Sequence, residues 1–179
     1  MIIVSYNQPQ LLRNLLSSLW QNCVSANNLA RIIIVNTGHP DSLRWVDDTN
    51  PAIRLIQAPK NLGWEGGLQL GLQHATAPIV GFLNDDLHIT PGAGGWLTRL
   101  MEWFTDPDVA AVGPSSNYVM GVQSIFAGGG TVMTVPYLIG FFMLVRRSML
   151  DAVGGVDADR KSTRLNSSHI QKSRMPSSA

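Results

Sequence analysis

The chain has one cysteine, few charges and no apolar run long enough to cross a bilayer, and each shortage removes a class of function. Cys23 alone excludes an internal disulfide framework and a cysteine-built zinc site, so site chemistry must come from oxygen and nitrogen groups. Cys23 itself reads as structural. His39, His74, His88 and His169 lack helical i,i+4 metal-binding spacing, and each reads as a surface or loop residue. The longest apolar stretch, 132–145, is broken by Thr134 and Pro136 and is shorter than the roughly 20 residues a spanning helix needs. No P-loop pattern occurs, and G-W-E-G-G-L-Q-L-G at 63–71 does not give G-x-G-x-x-G or follow the first strand directly. A P-loop enzyme and a Rossmann dehydrogenase are therefore disfavoured. No basic n-region or small-residue cleavage site precedes I-I-V-S-Y, which points to the cytoplasm.

What remains is a domain-forming composition. With 179 residues, 45% hydrophobic and 14% charged, the chain can bury one sizeable core. Its near-neutral balance hides an asymmetry: residues 1–159 carry a net charge of −4 and residues 160–179 a net charge of +5. The basic segment has no aromatic interleaving and no helical stripe, so a disordered tail is expected rather than a nucleic-acid site. It also resembles translated adapter or vector sequence, so the natural chain is expected to continue differently after about Asp159, leaving the domain of residues 1–159 incomplete at its C-terminus. Arg146 and Arg147 follow the apolar stretch and read as solvated surface more readily than as a contact for anionic lipid.

Nearly continuous Ile/Val runs at 2–4, 32–35 and 79–83 suit strands covered on both faces, as in parallel sheets. Helical stripes separate them: Leu12, Leu15, Leu16, Leu19 and Trp20 share one face, with Pro9 near the start. An edge strand is expected at 53–57 and a helix at 66–74, despite Gly71. Trp96, Leu97, Leu100, Met101 and Phe104 predict a packing helix, and Trp96 and Trp103 read as core or boundary residues. A further strand is expected at 109–112, then a long loop at 113–130, a return to the core at 137–145, and a short helix at 148–153 closed by Gly154 and Gly155. The pattern is α/β with a mostly parallel sheet.

The segment P-I-V-G-F-L-N-D-D-L at 78–87 is the most informative. A core strand stops at Asn84, Asp85 and Asp86, where carboxylates need water, a partner or a hard cation. The other strong strands also end in polar residues: Ser5, Tyr6 and Asn7, and Asn36, Thr37 and Gly38. In open parallel sheets ligands sit beyond the carboxyl ends of strands. Individually these tips are ordinary turn formers, but together they predict one crevice.

I-I-V-S-Y-N, I-I-I-V-N-T-G, K-N-L-G-W-E-G-G-L-Q-L-G, F-L-N-D-D and G-F-F-M-L-V-R-R-S-M-L-D-A-V-G-G-V-D, in this order over residues 1–159, resemble family 2 glycosyltransferases of the GT-A fold. The rhamnosyl- and galactofuranosyl-transferase branch is the most similar. The resemblance implies a three-layer α/β domain, a nucleotide-diphosphate sugar donor, Mg²⁺ or Mn²⁺ as cofactor and inversion at the anomeric carbon. It also implies a glycan or lipid-linked acceptor in cell-envelope synthesis, with the full-length enzyme peripheral to the inner face of the membrane. By position, Ser5, Tyr6 and Asn7 would line the nucleoside pocket, Asn36 would take the base-contacting acidic position, and Asn61 and Gly63 would border the nucleoside. Asn84 and Asp85 would stand by the donor, Asp85 near the ribose or metal, and Asp86 would be the direct metal ligand.

Asn36 and Asn84 replace the acids of the family pattern. The general base of relatives lies beyond the segment matching Gly154–Asp157, and no acid follows Asp159. Asp157 and Asp159 are weak substitutes, so a fragment that binds donor and metal but transfers poorly is expected. The competing readings are a nucleotidyltransferase, whose glycine-rich basic loop is missing, and a non-catalytic nucleotide-sugar-binding module.

Overall fold

The computed structural model describes residues 1–23, 31–46, 49–90, 95–116, 121–125, 132–157 and 173–175. The strands are β1 (Ile2–Ser5), β2 (Ile32–Asn36), β3 (Ile53–Gln57), β4 (Ile79–Asn84), β5 (Ala111–Val112), β6 (Met133–Val135), β7 (Phe142–Arg146) and β8 (Ser173–Met175). The α-helices are α1 (Pro9–Cys23), α2 (Gly63–Leu72), α3 (Trp96–Glu102) and α4 (Arg147–Ala152). A six-stranded core of order β3-β2-β1-β4-β7-β5 is extended by β8 and then β6. Its first four strands are parallel, whereas β7 runs antiparallel to both β4 and β5. β3 is the edge strand that its weaker apolar pattern predicts.

Every residue of β1 and β2 is buried, because helices cover both faces. On one face α1 and α3 pack through Leu12, Leu15, Leu16, Leu19, Leu97 and Leu100 onto Ile3, Ile34 and Leu83. On the other, Leu68 and Leu72 of α2 and Leu150 of α4 cover Ile2, Val4, Val35 and Phe82. Continuous Ile/Val runs and one-sided leucine stripes thus become the middle and outer layers of a three-layer domain.

α2 begins at Gly63, earlier than expected, and its glycines have a packing role. A Cβ on Gly67 would lie 2.6 Å from Val4 Cγ1, and one on Gly71 would lie 2.5 Å from Ile2 Cγ2. The helix therefore rests directly on β1, antiparallel to it, with its first turn projecting past Ser5. Of the segment expected to return to the core at 137–145, the carboxyl-terminal part forms β7, and a separate short strand, β6, precedes it. Pro136 ends β6 because it lacks an N–H for the ladder, and Tyr137, 51% exposed, lies in the connection.

Arg146 and Arg147 are structural. The Arg146 guanidinium donates to the carbonyls of Val109, Phe104 and Asp106 and lies over the Phe104 ring. Arg147 donates to the Ala75 carbonyl and pairs with Asp151. Ser173–Met175, within the segment read as a basic tail, forms β8 between β5 and β6; the rest of 158–179, including Asp159, lies outside the described residues.

Candidate functional site

The parallel strands run outward from β1 in both directions, β2 and β3 on one side and β4 on the other, so strand order reverses at β1. Such a switch point opens a crevice beyond the carboxyl ends of the strands. The register sets Ser5 beside Asn36 and Val4 beside Asn84, which brings all three polar tips to this edge. Gly67 lies over Val4, and Gly63, one helical turn earlier, therefore reaches the same edge. Ser5, Tyr6, Asn7, Asn36, Asn61, Gly63, Asn84, Asp85 and Asp86 are thus assembled around one mouth.

Their side chains divide by task. Asn7 has a left-handed backbone (φ 54°), and its Oδ1 accepts from the His39 N–H, tying the β1 exit to the β2 exit. Gly38 is needed there, since a Cβ would sit 2.3 Å from Asn7 Oδ1. Asn36 is 1% exposed: its Nδ2 donates to the His39 carbonyl and Gln57 Oε1, and its Oδ1 accepts from the Gly38 N–H. Its amide is committed to shaping the loop. Gln57 returns hydrogen bonds to the Asn36, Gly38 and Ala58 carbonyls. Asn61 Oδ1 accepts from the Gly63 N–H and fixes the entry to α2. Tyr6 is 53% exposed and forms an open wall.

The acidic corner is differently built. Asn84 donates its backbone N–H to the Phe141 carbonyl, which closes β4 against the turn before β7. No helix begins within residues 85–90, so neither Asp85 nor Asp86 caps one directly. The loop beyond them is tied to α1, where buried Ser18 Oγ accepts from the Ile89 N–H and Asn22 donates to the Ile89 carbonyl. Asp86 is exposed, whereas Asp85 is half-buried. Burial pushes the Asp85 carboxyl above its ordinary pKa; the adjacent Ser5 hydroxyl opposes the shift, and the Asp86 charge adds to it. Ser5 Oγ and Asp85 Oδ2 are nevertheless buried without a partner in hydrogen-bonding geometry. Buried polar atoms are normally satisfied, so two orphans at one mouth mark a place for a polar ligand.

The donor set fits a hard cation shared with a ligand. Among the described residues no group of three or more His, Cys, Asp or Glu side chains gathers into a self-sufficient metal cage. Asp85 and Asp86 supply two carboxylates, the number with which Mg²⁺-type ions sit when phosphates and water complete the shell.

The match to the glycosyl transferase family 2 model extends over residues 1–128. The chain belongs to this family.

Solved structures with the same fold include the mannosyltransferase PcManGT from Pyrobaculum calidifontis in complex with GDP-Man and Mn²⁺ (TM-score 0.68, 22% identity, 88% of this chain and 47% of that one). S. aureus TarS 1–349 aligns with TM-score 0.71 at 16% identity, over 97% of this chain and 56% of that one. GalNAc-T7 with UDP, GalNAc and Mn²⁺ aligns with TM-score 0.75 at 12% identity, over 98% of this chain and 41% of that one. The family 2 chain thus spans about half the length of these structures or less. Among curated proteins, none matches it.

Two features fall outside the mouth. Asp157 follows Val156, whose N–H donates to Gln69 Oε1 at the level of mid-α2, below the strand tips. A cavity of about 360 Å³ lies at the opposite edge of the sheet, lined by Met1, Arg31, His74, Pro78, Leu97 and Met101 among others, and it contains none of the residues assembled around the mouth. Ser18, Asn22 and Gln57 lie in no motif of the sequence, and Gln69, although within K-N-L-G-W-E-G-G-L-Q-L-G, takes no role from it. Their roles depend on partners that only the tertiary fold supplies.

Proposed function

We propose that this domain binds a nucleotide-diphosphate sugar at the β1–β4 switch point and transfers its glycosyl group, with inversion, to a glycan or lipid-linked acceptor. The observation that carries this is the pairing of exposed Asp86 with half-buried Asp85 at the end of β4, beside an unpartnered Ser5 hydroxyl. Family membership and the Mn²⁺ and nucleotide sugars named for two structural neighbours support it. Asp86, with Asp85, would hold Mg²⁺ or Mn²⁺, which when bound offsets charge on the diphosphate as it leaves.

The chain's own residues supply the cradle. The loop braced by Asn7, Asn36 and Gln57 offers a rigid wall for the nucleoside, with Tyr6 on its open side. The turn set by Asn61 brings the start of α2 against the same pocket. Asn36 contributes by holding the His39 carbonyl and Gly38 N–H in place, rather than by presenting its amide to a base. A rhamnosyl- or galactofuranosyl-transferase-like role in cell-envelope synthesis, at the inner face of the membrane, is the specific form of the proposal. Among the described residues no helix is long and apolar enough to cross a membrane.

Calorimetric titration tests the reading. Sugars of uridine, thymidine and guanosine diphosphate are titrated with and without Mn²⁺ into the wild type and Asp86→Ala. One donor should bind with Mn²⁺ and lose at least about tenfold in affinity in the variant. Metal-independent binding indifferent to the substitution would remove the assignment.

A further inference from the structure

α4 and the turn after it run beside α2, fastened at two heights. Arg147 donates to the Ala75 carbonyl, just beyond the carboxyl end of α2, and Val156 donates to Gln69 Oε1 at 2.8 Å, partway up the helix. The segment between these fasteners therefore climbs α2 toward its amino end, which borders the crevice. Gly154 and Gly155 have φ values of 82° and 91°, which sends the chain sharply out of α4. A Cβ on Gly155 would lie 2.5 Å from Gln69 Oε1, so the turn closes directly over the glutamine amide. Asp157 directly follows Val156. From Gln69 to Gly63 is six helical residues, about 9 Å of rise, a span that one extended residue and a carboxylate side chain cover in large part.

We propose that Gln69 is a positioning residue: it clamps the Gly154–Gly155 turn to the donor-binding helix and so directs Asp157 toward the glycosyl group of a donor seated at the mouth. The inference rests on the glycosyltransferase reading. The bond joins residues 87 apart in sequence and couples α2, one wall of the nucleoside pocket, to the sole described acid beyond α4. Asp157 itself would accept a hydrogen bond from a sugar hydroxyl. Gln69 need not touch the donor.

The test compares a nucleoside diphosphate with its nucleotide sugar, both with Mn²⁺, in wild type, Gln69→Leu, Gln69→Glu, Asp157→Asn and the Gln69→Leu/Asp157→Asn double variant. Gln69→Leu and Asp157→Asn should each weaken nucleotide-sugar binding about tenfold while leaving the nucleoside diphosphate within about twofold. Gln69→Glu retains an acceptor for the Val156 N–H and should restore most of the loss. The double variant should be no weaker than either single one, as expected for residues acting as a unit. Equal loss for both ligands, or additive losses, would reduce Gln69 to a structural contact and overturn the inference. If Gln69→Leu does not fold, Gln69→Glu and Asp157→Asn decide the matter: Asp157→Asn without selective loss overturns it. Wild type that binds neither ligand would remove the glycosyltransferase reading itself, a result distinct from failure of the clamp alone.

Discussion

At Asp85, burial and the neighbouring Asp86 charge favour the protonated acid, while the Ser5 hydroxyl opposes them and the balance lies above the ordinary value of 3.8. The folded chain therefore retains this proton over a pH window in which the unfolded chain has already lost it. Stability from this group is full below the unfolded value and falls as the pH rises through the folded one. Asp85→Asn removes the charge without changing the shape. In metal-free thermal melts, the variant should match wild type near pH 3.5, as an order-of-magnitude starting point, and exceed it increasingly toward neutrality. A difference that stays constant with pH would refute this origin. The same substitution should weaken Mn²⁺-dependent donor binding, the usual conflict between a strained site and a stable fold. Asn36 shows the opposite economy, since every polar atom of its amide is already used within the loop.

Among the elements, α2 connects packing most directly to the mouth. Helix propensity alone favours Gly71→Ala by about 1 kcal/mol. Against that, the new methyl would meet Ile2 Cγ2 at 2.5 Å and Val35 Cγ2 at 3.2 Å, both on rigid β-branched residues of central strands. Overpacking of this kind costs about 1–3 kcal/mol, so the clash outweighs the propensity. Urea unfolding of Gly71→Ala should show a net loss of up to about 2 kcal/mol, and a stabilised variant would mean that α2 can lift off β1 freely. Because Gly63 and Asn61 ride on the same helix, a shifted α2 should also weaken donor binding. The reason for Gly71 could not be read from the sequence, where a close backbone, a close ligand and a tolerated defect look alike.

On the scale of the whole molecule, much of the layer structure was legible and the fasteners were not. Unbroken apolar runs located β1, β2 and β4, and the leucine stripe located the buried face of α1, because both patterns follow from which faces meet a core. The polar strand tips converged as parallel topology requires. By contrast, the division between β6 and β7 depended on one proline within an apolar stretch. The amide clasps of Gln57 and Gln69 have no period at all. Arg146 is the largest such fastener, joining the end of β7 to three carbonyls in the connection between α3 and β5. It locks the antiparallel part of the sheet to the α3 side of the domain. Arg146→Met keeps the stem over Phe104 and leaves those carbonyls without the guanidinium, at an expected cost of about 2–4 kcal/mol. Hydrogen exchange should accelerate first in residues 104–112, with the β1–β4 amides affected later. Binding to anionic vesicles should not change, because the guanidinium is already committed to internal partners. A variant of normal stability that loses vesicle binding would instead make Arg146 a lipid contact and leave the joint between the two parts of the sheet to other residues.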